Sequence, residues 1–374
     1  MRRSIVPPYL LARIARADAF GMERAAAAAR RSLLADPPLR EERDERMREA
    51  AENTGGDQRS GARNGLLAPR TAAGSPAAAS APAVQRTVFD AAGTETLPGR
   101  VVRREGDPAA ADIAVNEAYD GLGATHALLW EAFGRDSVDG RGLALNATVH
   151  YGDDYDNAFW DGERMVFGDG DGEVFGRFTA SPSVIGHELA HGVTQYTAGL
   201  VYQGQSGALN ESFSDVIGAL VEQHRLGQSA EEASWLIGEG LFTAAVEGRA
   251  LRSMLEPGTA YDDDVLGKDP QPASMDHYVD TADDNGGVHL NSGIPNRAFA
   301  LAATELGGPA WERAGRVWYD AVAGQLASTA DFATFAAATV TASGARFGAE
   351  SAETAAIVRA WRTVGVRSDE PAPG

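Results

Sequence analysis

The sequence predicts an α+β chain of two lobes, β-rich first and helical last, with a short segment ahead of both. Three observations lead there. Arg86-Thr-Val-Phe89 and the run from Leu145 to Tyr151 carry the β-branched and aromatic residues of strands. Beyond Ser183, apolar residues recur at helical spacing in segments 183–195, 210–226, 295–306, 311–326, 331–345 and 351–363. At 374 residues the chain has room for two domains or one large one, and no internal repeat divides it.

Residues 1–48 form the leading unit. Tyr9, Leu10, Leu11 and Ile14 recur at helical spacing after Pro7-Pro8, and an alanine-rich amphipathic stretch from Asp18 to Leu34 is stopped by Pro37-Pro38. Helices this short need a larger body to pack on. Residues 49–85 change character. Ser60-Gly61, Gly65 and the Ala/Pro/Ser tract from Thr71 to Ala83 have neither periodicity nor large side chains, which reads as a flexible linker open to proteolytic processing. Residues 86–182 make a mixed lobe. Its strands flank a helix over Asp112 to Phe133, patterned by Val115, Ala118, Tyr119, Leu122 and Leu129, and Asp153 to Gly172 is turn-rich. Residues 183–374 make the helical lobe.

Composition narrows the function. A net charge of −20 argues against nucleic acid, whose phosphates it would repel; most of that charge reads as a solvated acidic surface. Zero cysteines exclude thiol catalysis, disulfides and thiolate metal sites. No apolar run approaches the ~18 residues of a membrane helix. Arg2-Arg3 make a basic start, but Pro7-Pro8, Arg13 and Arg16 interrupt what a conventional secretory signal requires.

The informative segment is His187-Glu188-Leu189-Ala190-His191, set among Val184, Ile185 and Val193. Residues four apart on a helix stand one above the other, so both imidazoles can face one Zn²⁺, with Glu188 beside them in reach of the attacking water. The pattern arises by chance in on the order of 1% of such chains, which makes it a specific signal rather than a weak one. A hydrolytic zinc wants a third protein ligand, and Glu211 is the candidate. Asn210 is read as the start of the next helix, placing Glu211 in its first turn. Asp215, four residues on, shares the face of Glu211 and can accept a hydrogen bond from a ligating imidazole; Asn210 and Asp215 are the expected supports behind the ligands.

At this point the sequence resembles the thermolysin family of metallopeptidases. Asn157-Ala-Phe-Trp-Asp-Gly162, Met165-Val-Phe-Gly-Asp-Gly-Asp-Gly172 and Asp284-Asn-Gly-Gly-Val-His-Leu-Asn-Ser-Gly293 match the family's segments in order and spacing, and the likeness covers residues 86 to 363. Ile5-Val-Pro-Pro-Tyr-Leu-Leu11 resembles the short propeptide of the protealysin-like branch. The resemblance implies a two-lobed fold with the zinc helix at the junction, zinc on His187, His191 and Glu211, and Glu188 as general base. It further implies that Asp215 orients His187, that Tyr202 and His289 stabilise the oxyanion, and that Asp284 holds His289. Arg252, Asn157 and Ala158 would bind substrate backbone; Phe175, Phe178, Val184, Ile237 and Leu251 would form the apolar pocket after the scissile bond. Pro7, Pro8, Tyr9 and Leu10 would lie near or in the cleft and block it in cis. Taken singly, Arg252 reads as an ion-pairing arginine, His289 as a structural histidine, and Phe175 and Phe178 as core. His126, His150, His224 and His277 are read as structural.

The chain departs from the family at calcium. Ser183 stands where the double site has an acidic residue, and Ser234 and Leu236 flank Trp235, so Glu222 and Glu239 leave too few carboxylates for two ions, and the double site is expected to be absent or reduced to one weak calcium ion. Gly168 to Gly172 lacks the ligand pattern of an EF-hand and reads as a turn beside the cleft. The sequence therefore predicts a zinc-dependent neutral endopeptidase made as a proenzyme, a monomer acting on proteins and peptides with bulky apolar residues after the cut. Secretion is expected from the family, with cytoplasmic accumulation as the other localisation. A zinc aminopeptidase and a catalytically silent binding protein are the rival readings. The first lacks an acidic cluster for the substrate amine, and the intact His187, Glu188, His191, Glu211, Tyr202 and His289 argue against the second.

Overall fold

The structure, a computed structural model, describes residues 4–35 and 82–367. The Pro37-Pro38 stop and nearly all of the expected linker lie outside the described residues. The α+β expectation holds: a five-stranded sheet occupies the first lobe and helices dominate the second.

The chain opens with helix α1 (Pro8–Ile14), whose proline at the first position is preset for helical φ. Leu10, Leu11 and Ile14 are buried, and a seven-residue helix holds its shape only through such docking. Helix α2 covers residues 23–35. The stretch from Asp18 to Leu34 is thus not one helix. A 3₁₀ turn over Ala17–Phe20 ends at Gly21, whose φ of +79° breaks the run, and α2 begins afresh beyond it.

Strand β1 (Arg86–Asp90) pairs antiparallel with β2 (Arg100–Arg104). After helix α3 (Ile113–Phe133), capped by Asp112 accepting from Ala114 N, strand β3 (Leu145–Val149) lies parallel to β1. The strand stops two residues short of the Tyr151 expected from sequence, because His150 turns to φ +54°. β4 (Ala158–Trp160) and β5 (Arg164–Phe167) complete the order β2-β1-β3-β5-β4, with β4 at the edge. That edge is covered: Ser4 bridges Phe159 in antiparallel sense.

Helix α4 (Pro182–Gln195) carries the His-Glu pattern and is buried from Ser183 to Thr194. Helix α5 (Gly204–Leu226) starts six residues before Asn210, so Asn210 is no helix start and Glu211 lies beyond the first turn. Asn210 is buried, and its amide donates to Leu200 O, a task inside the fold that short-range pattern does not reveal. α4 and α5 approach at two glycines. A Cβ at Gly218 would stand 2.3 Å from Ser183 O, and one at Gly186 would stand 2.9 Å from Val221 Cγ2. Only bare backbone permits this contact.

Two small ribbons follow, β6 (Leu236–Ile237) with β7 (Arg252–Ser253) and β8 (Asp262–Asp263) with β9 (Gly267–Lys268). Then come α6 (Asp284–Asn291), α7 (Gly293–Leu306), α8 (Ala314–Ala323), α9 (Phe332–Phe347) and α10 (Ala352–Thr363). Their core centres on Trp318 and Trp361, stacked at 5.8 Å, with Phe299 and Phe335 edge-on to it. No helix among the described residues is long and apolar enough to cross a membrane.

His150 ties the start of α3 to the Gly168–Gly172 turn. Its Nε2 meets Asp112 and its Nδ1 meets Asp169, both at 2.8 Å. Asp169 first, against some desolvation and with help from Asp112, pushes the imidazole up to about 9. A raised histidine stabilises the fold fully below its unfolded value of 6.5, and the contribution is lost as pH rises through about 9. Denaturant melts of His150→Asn should fall below the parent by about 1–2 kcal/mol at pH 6, discounted for partial exposure, and the gap should close above pH 9. A gap independent of pH would exclude the charge. Gly218→Ala should cost about 1–3 kcal/mol despite alanine's better helix propensity, because its methyl meets backbone that cannot rotate away. A melting temperature unchanged by that substitution would show that the helices can part freely.

Candidate active site

Helical spacing delivers the first part of the site. His187 and His191, four apart on α4, set their rings 4.8 Å centroid to centroid, and both are fully buried. Glu211 on α5 faces them: its carboxylate oxygens lie 3.4 Å from His187 Nε2 and 3.4 Å from His191 Nε2. Metal–ligand distances of about 2.0–2.1 Å in a tetrahedron put neighbouring ligand atoms roughly 3.3 Å apart. The two edges from Glu211 have that spacing. His187 Nε2 and Glu211 Oε2 are also buried without a hydrogen-bond partner among the described residues, as atoms reserved for a cation would be.

His187, Glu188 and His191 also gather within 4.8 Å, so either carboxylate lies close to the imidazoles. Hydrogen bonding separates them. Glu188 Oε2 accepts from Trp160 N at 3.0 Å on β4, which aims that carboxylate away from a third-ligand role, whereas Glu211 spans both imidazoles. The donor set of two imidazoles and one carboxylate suits Zn²⁺ with a position left for substrate.

Each imidazole is turned by its far nitrogen. His187 Nδ1 meets Asp215 Oδ1 at 2.7 Å; His191 Nδ1 lies 2.9 Å from Asn210 Oδ1 and 2.9 Å from Ser214 Oγ. Asp215 also takes a two-pronged contact from Arg252, Nε to Oδ2 at 2.9 Å and Nη2 to Oδ1 at 2.7 Å, and a fourth bond from Asn296 Nδ2 at 2.8 Å. Burial opposes the Asp215 charge, but Arg252 and His187 hold its carboxyl below the usual range. Burial likewise opposes a charged His187, yet Asp215, with Glu211, pushes it up to about 9. Burial opposes the charge on Glu211 too, and the three histidines outweigh it.

The second part comes from an unusual backbone. Asp284, Asn285, Gly286 and Gly287 all have φ between 50° and 81°, a left-handed curl that two glycines and an Asp-Asn pair tolerate. The curl folds Asp284 onto His289, accepting from its backbone N at 2.8 Å and meeting Nδ1 at 2.6 Å. His289 Nε2 lies 3.1 Å from Ser4 O and 3.2 Å from the Tyr202 hydroxyl, which donates to Glu211. With Asp284 on Nδ1 and Ser4 O on Nε2, the ring protonated on both nitrogens has an acceptor for each N–H. Burial works against that charged form, but Asp284, then Glu211, pushes His289 up to about 9.

The N-terminal segment runs through this group. Ile5 N donates to Ala158 O at 3.3 Å, Arg252 Nη1 donates to Ile5 O at 3.0 Å, and Val6 N donates to Asn157 Oδ1 at 3.0 Å. Pro7 and Pro8 start α1, where Leu10 is buried, and the Tyr9 hydroxyl, raised by burial, feels Tyr261, Asp269, Asp284 and Arg252. Phe175 and Phe178 lie 5.5 Å apart, Val184 is on α4, and Leu251 N donates to Ile237 O; all five residues of the expected apolar pocket are buried.

Residues 85–195 match the thermolysin metallopeptidase catalytic domain, and residues 198–366 match the thermolysin metallopeptidase alpha-helical domain. The chain belongs to the thermolysin family of metallopeptidases. It is a metalloendopeptidase of the protealysin-like branch. An extracellular metalloprotease of Pectobacterium carotovorum is 55% identical over 282 residues, 75% of this chain and 81% of that one. Thermolysin of Alicyclobacillus acidocaldarius is 39% identical over 288 residues, 74% of this chain and 50% of its own. The solved precursor of protealysin from Serratia proteamaculans superposes with a TM-score of 0.82 at 48% identity, over 97% of this chain and 99% of that one.

Sequence reasoning overlooked Ser4, Ile5 and Val6, which meet the site directly, and the supports Trp160 N, Ser214 and Asn296. One signal was present: a β-branched Ile-Val pair ahead of proline is held extended, ready to pair with an edge strand. Asp215→Asn removes the charge behind His187 and Arg252. It should weaken zinc binding by ~10–100-fold in competition with a chelator, and lower the melting temperature. Unchanged zinc affinity would mean that Asp215 serves the fold alone.

Proposed function

We propose that this family member is a zinc-dependent neutral endopeptidase made as a proenzyme, cutting internal bonds ahead of a bulky apolar residue. The convergence of Glu211 on His187 and His191, at tetrahedral-edge spacing from each, carries the reading. Zinc on those ligands supplies Lewis acidity toward the peptide carbonyl and acidifies water. Glu188, tethered by Trp160 N, takes the proton of the attacking water and passes it to the leaving nitrogen, a contribution of ~10²–10⁴-fold. His289, held by Asp284, and Tyr202 donate to the developing oxyanion; one such donor is worth roughly 10²–10³-fold. Asn157, Ala158 and Arg252 hold the substrate backbone, and Phe175, Phe178, Val184, Ile237 and Leu251 receive the apolar side chain after the cut.

Residues 1–48 act as a propeptide in cis, seated on the groups substrate would use, and 49–85 carry the processing site between it and the lobes at 86–182 and 183–374. The bonds from Ser4, Ile5 and Val6 to the cleft support this. The relatives' names support secretion. The protein acts as a monomer. The family's double calcium site is absent here or reduced to one weak ion: Ser183 Oγ accepts from Gly238 N and lies 3.0 Å from Ser181 Oγ, and burial raises the Glu222 carboxyl, disfavouring the charge calcium needs.

Elemental analysis of the purified chain, cut in its linker, should give one zinc. An internally quenched peptide with a bulky apolar residue after its cleavable bond should be cut, and a chelator should stop cutting. Zinc should restore it; calcium alone should neither restore it nor stabilise the fold. Glu188→Ala should keep the metal and lose ~10²–10⁴-fold in kcat/KM. Cutting by Glu188→Ala at the parent rate, or protein that holds no zinc, would reject the mechanism.

A further inference from the structure

The N-terminal segment lies in the cleft with a defined polarity. Three backbone carbonyls pass the site, and each meets a different donor. Val6 O accepts from Asn157 Nδ2 at 3.3 Å, Ile5 O accepts from Arg252 Nη1 at 3.0 Å, and Ser4 O faces His289 Nε2 at 3.1 Å. His289 Nε2 is also 3.2 Å from the Tyr202 hydroxyl and 3.6 Å from Glu211 Oε2, so the Ser4 carbonyl is the one brought to the metal-ligand cluster. The bond that follows it joins Ser4 to Ile5. Ile5 is fully buried and β-branched, and its N–H is held by Ala158 O rather than turned away.

We propose that Ser4–Ile5 is a scissile bond, and that the chain trims its own first four residues in cis. This rests on the peptidase reading above and adds its first substrate. Water is the only co-reactant. Its oxygen bonds to the Ser4 carbonyl carbon, the bond from that carbon to Ile5 nitrogen breaks, and the proton taken by Glu188 goes to that nitrogen. The products are a Met1–Ser4 peptide with a new carboxylate and a chain beginning at Ile5 with a new amine. Trimming does not free the cleft. Val6 stays on Asn157, Leu10, Leu11 and Ile14 stay buried, and Arg24 on α2 still grips Asp154 with both nitrogens. Removal of the segment is a separate event from this first cut.

The test uses the full chain, purified in chelator and then given zinc, with intact mass and N-terminal sequencing, while a portion of the same preparation cut in its linker is read on a quenched peptide. The expected result is loss of Met1–Ser4 from most chains at a rate that does not change on dilution, while Glu188→Ala keeps Met1. A readout free of catalysis is amide exchange of the metal-free Glu188→Ala chain. Ile5 and Val6 should exchange slowly there, and Ile5→Asp should make both fast as well as block trimming in the active chain. An N-terminus that remains Met1 in zinc-loaded protein able to cut the added peptide would overturn the proposal and leave the peptidase reading intact. No trimming by the full chain together with no peptide cutting by its linker-cut portion would overturn the peptidase reading itself. A new N-terminus other than Ile5, trimming that slows with dilution, or fast exchange at Ile5 and Val6 would each refute the cis register.

Discussion

Asp215 is the constraint on which the site rests. One fully buried carboxylate accepts from His187, twice from Arg252 and once from Asn296. Taking these charges out of water costs several kcal/mol per ion, and only dense, charge-assisted bonding offsets that cost. The four bonds join α4, α5, β7 and α7, so the carboxylate fixes the ring that faces the metal and the guanidinium that faces the peptide in one arrangement. Its reach depends on the close packing of α4 on α5, where Gly186 and Gly218 let backbone meet backbone.

Much of this was legible in the sequence because it is local. The period of α4 placed His187 and His191 on one face, and apolar spacing located α7, α9 and α10 to within a few residues. What short-range pattern could not supply was partners. The start of α5 is hidden because Gly204 and Ser206, on either side of Gln205, weaken the helical signal; tertiary burial decides there. The break at Gly21 was missed because alanines on both sides suggested continuity. The sequence puts the blocking residues at Pro7, Pro8, Tyr9 and Leu10, whereas Ser4, Ile5 and Val6 are the ones bonded to the site. The bonds of Ser4, Ile5 and Val6 span 285, 247 and 151 residues, and nothing in a tripeptide names a partner so far along the chain.

The left-handed curl at Asp284 to Gly287 belongs between these cases. Its Asp-Asn-Gly-Gly composition signals a turn with positive φ. That the turn would fold a carboxylate back onto both the backbone and the ring of His289 follows only once the helix after it is placed. Strain is kept where small residues tolerate it, and the histidine gains a fixed orientation from a residue five positions earlier.

Strand β4 has two customers. Its outer edge pairs with the incoming chain at Ala158 and Phe159, while the amide of Trp160 steers Glu188 from the neighbouring helix. A peptide that docks out of register therefore tugs on the same three-residue strand whose last amide aims the proton acceptor. Recognition and chemistry share a single hinge point, so a misfitting guest detunes the machinery that would have cut it.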